Sequence, residues 1–227
     1  MAAPALHIHD LRVTTPQGRV LLDIAALHIP GGQTVALRGP SGAGKSTLLH
    51  VLSGLVRPSA GQVLWAERDI AALSQDDRAR FRRETLGLIF QDCHLFEELS
   101  ALGNAALAAA FSPARARGGI HDTAARWLTR LGLPQTGART VDSYSGGERQ
   151  RIAVARALAA DPPVILADEP TAALDRDNAD RLGRDLVALA TEGGRTLVTV
   201  THDATLAAQM QRQITLADGR ITEDSHG

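Results

Sequence analysis

Lysine is almost missing from this 227-residue sequence: Lys45 is the only one, and every other residue in the basic count of 24 is arginine. Cysteine is equally scarce, and the single Cys93 excludes an intrachain disulfide and cannot build a zinc site alone. Aromatic residues make up 3% of the chain, and none stands before Trp65. The longest purely apolar run covers residues 105–111, far short of the roughly 18 residues that a spanning helix needs. Charge of one sign is lacking too. With 24 basic against 25 acidic residues the formal net charge is −1, which gives no global electrostatic reason to bind nucleic acid or an anionic membrane. Residues 1–10 carry no basic stretch leading into an apolar one, so no secretory signal is expected and a cytoplasmic chain is.

What is present reads as an ordinary globular chain, with 44% hydrophobic and 22% charged residues. Its length suits one compact unit carrying an inserted subdomain. Alternation at Leu6 and Ile8 and the run 20–29 predict antiparallel strands that end at Pro30-Gly31-Gly32. Residues 34–37 read as a short buried strand, followed by a glycine-rich loop and a helix over 45–53 that stops near Gly54. Residues 61–65 and 86–90 read as strands, and 102–111 and 123–131 as helices with Gly118-Gly119 as a break between them. Beyond these come strand 164–167, helix 178–190, strand 196–201 and helix 204–210, an alternation that predicts a mainly parallel sheet with covering helices. Residues 214–217 and 220–221 about Asp218-Gly219 predict a closing hairpin.

Three stretches carry chemistry. Gly39-Pro40-Ser41-Gly42-Ala43-Gly44-Lys45-Ser46-Thr47 fits the phosphate-loop pattern G-x-x-x-x-G-K-[ST], set between a strand and a helix as the pattern requires. Glycines let successive backbone N–H groups turn toward phosphate oxygens, and the helix N-terminus adds a favourable dipole. Lys45 would reach the β- and γ-phosphates and the Ser46 hydroxyl would ligate magnesium. The isolation of Lys45 among arginines marks a position where a compact ammonium fits and a planar guanidinium does not. Asp168 and Glu169 follow the apolar run 164–167, at the strand end where open α/β sheets bind ligands. There Asp168 would hold the magnesium shell and Glu169 would polarise an attacking water. Ser145-Gly146-Gly147-Glu148 opens an apolar-periodic helix, as a capping box does, and its bare N–H groups can also receive an anion.

With these residues in order, the chain resembles an ATP-binding-cassette (ABC) ATPase over nearly its whole length. Ser145 to Glu148 resembles that family's signature loop, Gln91 its glutamine loop, Thr171-Ala172-Ala173-Leu174-Asp175 its D-loop and His202 its switch histidine. The resemblance implies an α/β fold with a P-loop NTPase core and mainly parallel sheet, an N-terminal antiparallel β subdomain and an inserted α-helical subdomain. The whole chain, 1–227, would form one domain, with about 1–91 and 161–227 as the core and about 92–160 as the helical insertion. It implies ATP and Mg2+ as cofactors, with Lys45, Glu169 and His202 catalytic, and with Gln91 joining Ser46 and Asp168 at the metal and the loop 39–47 at the nucleotide. A homodimer is implied in which Ser145, Gly146, Gly147 and Glu148 of one subunit face the phosphate loop of the other. A transmembrane permease partner is implied as well, placing the chain on the inner face of the membrane, with no nucleic-acid partner.

Residues 44–54, 86–104 and 143–175 resemble most the lipoprotein-release and macrolide-efflux branch. Tyr144 and Glu148 stand where the family's signature usually has Leu and Gln, and Ala172-Ala173 stands for the branch's usual Gly-Asn. An importer ATPase, or a non-transport member regulating a membrane or cell-envelope complex, is the alternative. A GTP switch is excluded, because its N-K-x-D motif needs a second lysine. The family usually stacks adenine on an aromatic residue that would fall near Thr15, and in its absence Arg12 or Arg19 could stack instead. Leu95-Phe96 could pack in the core or receive a helix from a membrane partner.

Overall fold

The computed structural model describes residues 3–133 and 140–226, the last by its backbone alone. Strand β1 (Leu6–Thr14) pairs antiparallel with β2 (Val20–Ile29), Leu6 opposite Ile29 and Ile8 opposite Leu27. The alternation that marks β1 slips at Asp10, which has φ 48° and no cross-strand partner, so that Leu11 and Val13 turn to the same buried face as Leu6 and Ile8. Strands β4 (Ala60–Trp65) and β5 (Arg68–Asp69) complete this sheet in the order β2-β1-β4-β5.

The second sheet carries the site. Strands β3 (Thr34–Arg38), β6 (Leu86–Ile89), β7 (Val164–Asp168) and β8 (Thr196–Val200) run parallel with β9 (Arg212–Ala217), and β10 (Arg220–His226) closes the edge antiparallel to β9. Their order is β10-β9-β3-β8-β7-β6. Both β7 and β8 are buried at every position, which is why β7 reads as a continuous apolar run over 164–167 and neither strand alternates between buried and exposed residues. Val164 and Leu166 point into one core cluster, and Ile165 and Ala167 into the other on the opposite face.

Helix α1 (Lys45–Leu52) lies in the first cluster with β1, β2 and the parallel strands, and so ties the two sheets together. Trp65 from β4 is buried there, and its indole N–H donates to the Leu52 carbonyl at 2.9 Å, satisfying an acceptor that the helix end leaves without a partner. The second cluster packs α3 (Ala101–Ala105), α4 (Ala114–Arg130), α5 (Gly146–Leu158), α6 (Arg176–Glu192) and α7 (Ala204–Ala208) against the far face. The hairpin expected around Asp218-Gly219 forms between β9 and β10, both turn residues having positive φ.

Three sequence expectations need correction. Gly118 and Gly119 do not break the chain: α4 runs through them, neither has positive φ, and both face open space on an exposed stretch where a missing side chain costs no packing. The helix expected over 102–111 is instead the short α3 followed by a 3-10 turn, Leu107–Phe111. Helix α2 (Gln75–Thr85) was not foreseen because only Phe81 of it is buried, so it lacks an apolar stripe. Its signal was the N-cap: Ser74 Oγ accepts the Asp77 N–H at 3.2 Å, with Asp76 and Asp77 in the first turn.

Replacing Trp65 by Phe keeps an aromatic body in place but strips the Leu52 carbonyl of its donor. We expect a loss of about 2 kcal/mol in urea unfolding. A change below about 0.5 kcal/mol would mean that the bond contributes nothing to stability.

Candidate functional site

The carboxyl ends of β3, β6, β7 and β8 open into one cavity of about 890 Å³. Of the residues singled out in the sequence, it is lined by Ser41, Gly42, Gly44, Lys45, Ser46, Thr47, Gln91, Asp168, Glu169, Thr171, Ala172, Leu174 and His202. Gly39, Pro40 and Ala43 shape the loop from behind rather than line it. A Cβ on Gly39, whose φ is 138°, would lie 2.0 Å from the Leu216 carbonyl oxygen of β9. One on Gly44, φ 98°, would lie 2.9 Å from the Leu21 carbonyl oxygen of β2. Both positions therefore accept only glycine, from conformation and from space alike.

Lys45 begins α1, is 7% exposed and donates from Nζ to the Gly39 and Pro40 carbonyls at 2.8 and 2.9 Å. Its ammonium is thus folded into its own loop at the positive end of the helix dipole, hydrogen-bonded to carbonyl oxygens and within electrostatic reach of Glu169. Asp168 ends β7, and its Oδ1 is buried with no hydrogen-bond partner among the described residues. A buried carboxylate oxygen left unmet is costly, and such groups mark places where an ion or water belongs. Ser46, Gln91 and Asp168 line the same cavity and each carries a side-chain oxygen, the donor type that a hard divalent cation takes.

Glu169 holds a left-handed backbone, φ 46°, pinned by its N–H donating to Val200 O at 2.9 Å. That twist turns its carboxylate toward β8's end. There Oε2 accepts the His202 N–H at 3.3 Å, and Oε1 lies 3.4 Å from His202 Nε2, an ion-pair distance without hydrogen-bond alignment. Burial pushes the Glu169 carboxyl above the usual carboxylate range and adjacent Asp168 raises it further, while the His202 N–H, the His202 ring and Lys45 pull it down.

Ser145 to Glu148 do not line the cavity. They form the expected capping box: Ser145 Oγ accepts the Glu148 N–H at 3.2 Å, and the Ser145 N–H donates to Glu148 Oε2 at 2.7 Å. The Gly146 and Gly147 backbone lies against Ala173 and Leu174. Sequence reasoning missed Arg176, which lines the cavity from the start of α6 just past the Asp175 N-cap. Of Arg12 and Arg19, only Arg19 lines it, with Leu21. Leu95 packs against the second core, while the Phe96 ring is 51% exposed.

A glycine-shaped loop at a helix N-terminus, facing two carboxylates at the ends of parallel strands, defines a phosphate-binding α/β site of the nucleotide-binding class. Residues 22–172 match the ABC transporter family, and the chain belongs to it. It is 42% identical over 227 residues to the macrolide export ATP-binding/permease protein MacB of Rhodopseudomonas palustris, covering 99% of this chain and 34% of that protein. It is 44% identical over 199 residues to the lipoprotein-releasing system ATP-binding protein LolD of Syntrophotalea carbinolica, covering 86% of each. The branch expected from the sequence is thereby borne out, and the chain spans about a third of the length of its macrolide-export relatives. Two solved structures of a dimeric ABC cassette superpose with TM-scores of 0.88 and 0.89 at 33% identity, over 97% of this chain. One is a post-hydrolysis state bound to ADP and Pi. The expected α/β fold, with its antiparallel β subdomain and mainly parallel sheet, is that of these cassettes.

The Lys45 ammonium donates to the successive Gly39 and Pro40 carbonyls at 2.8 and 2.9 Å, a contact suited to a compact point charge rather than to a planar guanidinium. Lys45→Arg is therefore expected to abolish productive nucleotide binding although the charge is kept. ATPase activity surviving within a few-fold would show the lysine to be incidental.

Proposed function

We propose that this chain binds ATP with Mg2+, dimerises on it and hydrolyses it, and that turnover drives a membrane permease of the macrolide-export or lipoprotein-release kind. The observation that carries the reading is one cavity uniting the phosphate loop, Gln91, Asp168, Glu169 and His202. Lys45 would swing from its loop carbonyls to the β- and γ-phosphate oxygens, and the backbone N–H groups of 41–46 would hold the phosphate tail. Ser46, Asp168 and Gln91 would hold magnesium, which neutralises charge on the phosphates. Glu169, raised by burial and aimed by its strained backbone, would take a proton from, or orient, the attacking water, while His202 would contact the γ-phosphate.

Ser145, Gly146, Gly147 and Glu148 serve no nucleotide in their own cavity. They would complete the partner subunit's site, a reading supported by the dimeric cassettes of the same fold. Among the described residues no helix is long and apolar enough to cross a membrane. Contact with the membrane's inner face would come through a permease, a reading supported by the likeness to macrolide-export and lipoprotein-releasing proteins. A groove of about 490 Å³ supports this. It is lined by Leu88, Phe90, Leu107 and Phe111, the last 68% exposed, and would take a permease segment. The division into a core, 1–91 and 161–227, and a helical insertion, 92–160, is supported by the packing of α3 to α5 on one another; residues 134–139 of the insertion lie outside the described residues.

Glu169→Gln should bind ATP and dimerise on it while losing most turnover; near-normal hydrolysis would sink the assignment. The same variant tests the electrostatics. Because the folded carboxyl titrates above its unfolded value of about 4.3, wild type loses stability as pH rises from there through the folded pKa, and the amide does not. The variant should therefore be more stable than wild type at pH 7 and equal to it near pH 3.5.

Among the described residues no Phe, Tyr or Trp lines the cavity, and Arg19 and Arg176 each bring a planar guanidinium to it. Affinity would then come mainly from the triphosphate, and GTP should bind within about tenfold of ATP. Thr15→Tyr should tighten ATP by roughly two- to tenfold. Strong ATP preference in wild type together with no tightening in the variant would show that another group holds the base.

A further inference from the structure

The antiparallel sheet carries three histidines on the face turned away from the core. His7 stands directly opposite His28 in the β1–β2 register, and His9, two residues on, lies on the same face of β1 opposite the small Ala26. Their neighbours Leu6, Ile8, Leu27 and Ile29 are buried in the first core cluster, so strand alternation sends all three imidazoles the other way. The His7 and His28 rings stack with centres 4.3 Å apart and planes 20° from parallel, and His9 follows His7 at 6.4 Å and 10°. A cavity of about 480 Å³ opens at these rings, lined also by Pro30, Arg212 and Asp224.

Among the described residues none of the three imidazoles makes a hydrogen bond or an ion pair. Asp224 is already engaged: its two oxygens accept from the Arg212 guanidinium at 2.7 and 2.6 Å, and the same guanidinium donates to the His28 carbonyl at 2.6 Å. That pair fixes the backbone under His28 and leaves the ring nitrogens as the open donors of the cavity. Imidazole nitrogen selects borderline cations such as Zn2+, Ni2+ and Cu2+ over Mg2+. Two imidazoles bound cis to one such ion, with nitrogens about 2.1 Å from it, hold their ring centres about 4.6–5.3 Å apart. The His7–His28 pair has to open, and His9 to close on His7, by about 1 Å to reach that spacing. As they stand the rings face one another, and no three ligand groups among the described residues converge on a metal position. Convergence takes rotation about χ2, a broad torsion in histidine, on strands that keep their register.

We propose that His7, His9 and His28 form a binding site for one divalent transition-metal ion of the zinc type, with water completing its shell. The site shares no lining residue with the nucleotide cavity and stands whatever that cavity binds.

The test is calorimetric titration of Zn2+ into the full chain without nucleotide, with excess Mg2+ present throughout to occupy oxygen sites. Wild type is compared with His7→Gln, His9→Gln and His28→Gln, and with His121→Gln on α4 as a histidine outside the cluster. Wild type is expected to take one ion per chain with a Kd of about 10 μM or tighter, and each sheet variant to lose about tenfold or more. His121→Gln should stay within about twofold of wild type. The proposal is overturned by wild-type binding weaker than about 1 mM, by any sheet variant within about twofold of wild type, or by an equal loss in His121→Gln. Should a sheet variant fail to fold by circular dichroism, the imidazole proton resonances of wild type decide. Of the eight histidines, those of the sheet should shift or broaden first as Zn2+ is added, and a response led by other histidines overturns the site.

Discussion

The loop of residues 39–44 is wedged between two sheets, and the rest of the site takes its position from that wedge. Its first glycine touches the Leu216 carbonyl of β9, and its last touches the Leu21 carbonyl of β2. The turn between β9 and β10 closes the gap: the Gly219 N–H donates to Ala43 O at 3.1 Å, and Gly219 O accepts the Asp23 N–H of β2 at 2.8 Å. Arg220 adds an ion pair to Asp23 at 2.8 Å. Held on three sides by backbone, the loop keeps its shape, and of its own N–H groups that of Ala43 closes a turn by donating to Pro40 O at 3.2 Å. The antiparallel sheet is thereby part of the site although few of its side chains line it.

From that fixed loop the parallel strands space the chemistry. Val35 pairs with Val198 and Ile165 with Leu197, a register that brings the ends of β3, β7 and β8 level. Asp168 then stands at one strand end and His202 just past the next, and the left-handed Glu169 spans the difference by hydrogen bonding to the β8 edge at Val200 and to His202. Full burial of β7 and β8 makes this spacing rigid, because a one-residue slip would exchange the residues facing the two cores.

Much of this was legible in the sequence because the site is local. Gly39 to Thr47 carries its chemistry in nine consecutive positions, and Asp168-Glu169 follows a buried run that needs no partner to be recognised. The capping box at Ser145 was legible for the same reason, since both of its bonds close within four residues. What depended on contact at a distance was not. The guanidinium of Arg156 meets carbonyls of residues 93 and 94, and no pattern in the sequence marks which arginine among so many makes such a contact. Helix α2 hid because its faces are polar, and α4 because two glycines on an exposed face carry no packing duty. Local signals specify chemistry here, and tertiary contacts decide which local breaks are tolerated.

The site also keeps several polar demands partly met. Lys45 spends its hydrogen bonds on carbonyl oxygens, Asp168 Oδ1 lacks a partner among the described residues, and Glu169 is raised by its burial. Each departs from the rule that buried polar groups are satisfied, and each would be costly alone. They are tolerated because the surrounding apolar clusters on both faces of the sheet supply the stability that these groups do not. A ligand bringing anionic oxygens to Lys45 and a hard cation to Asp168 would relieve several of these demands at once. Opposite charges placed so that neither is satisfied by the other are satisfied together only by something that carries both.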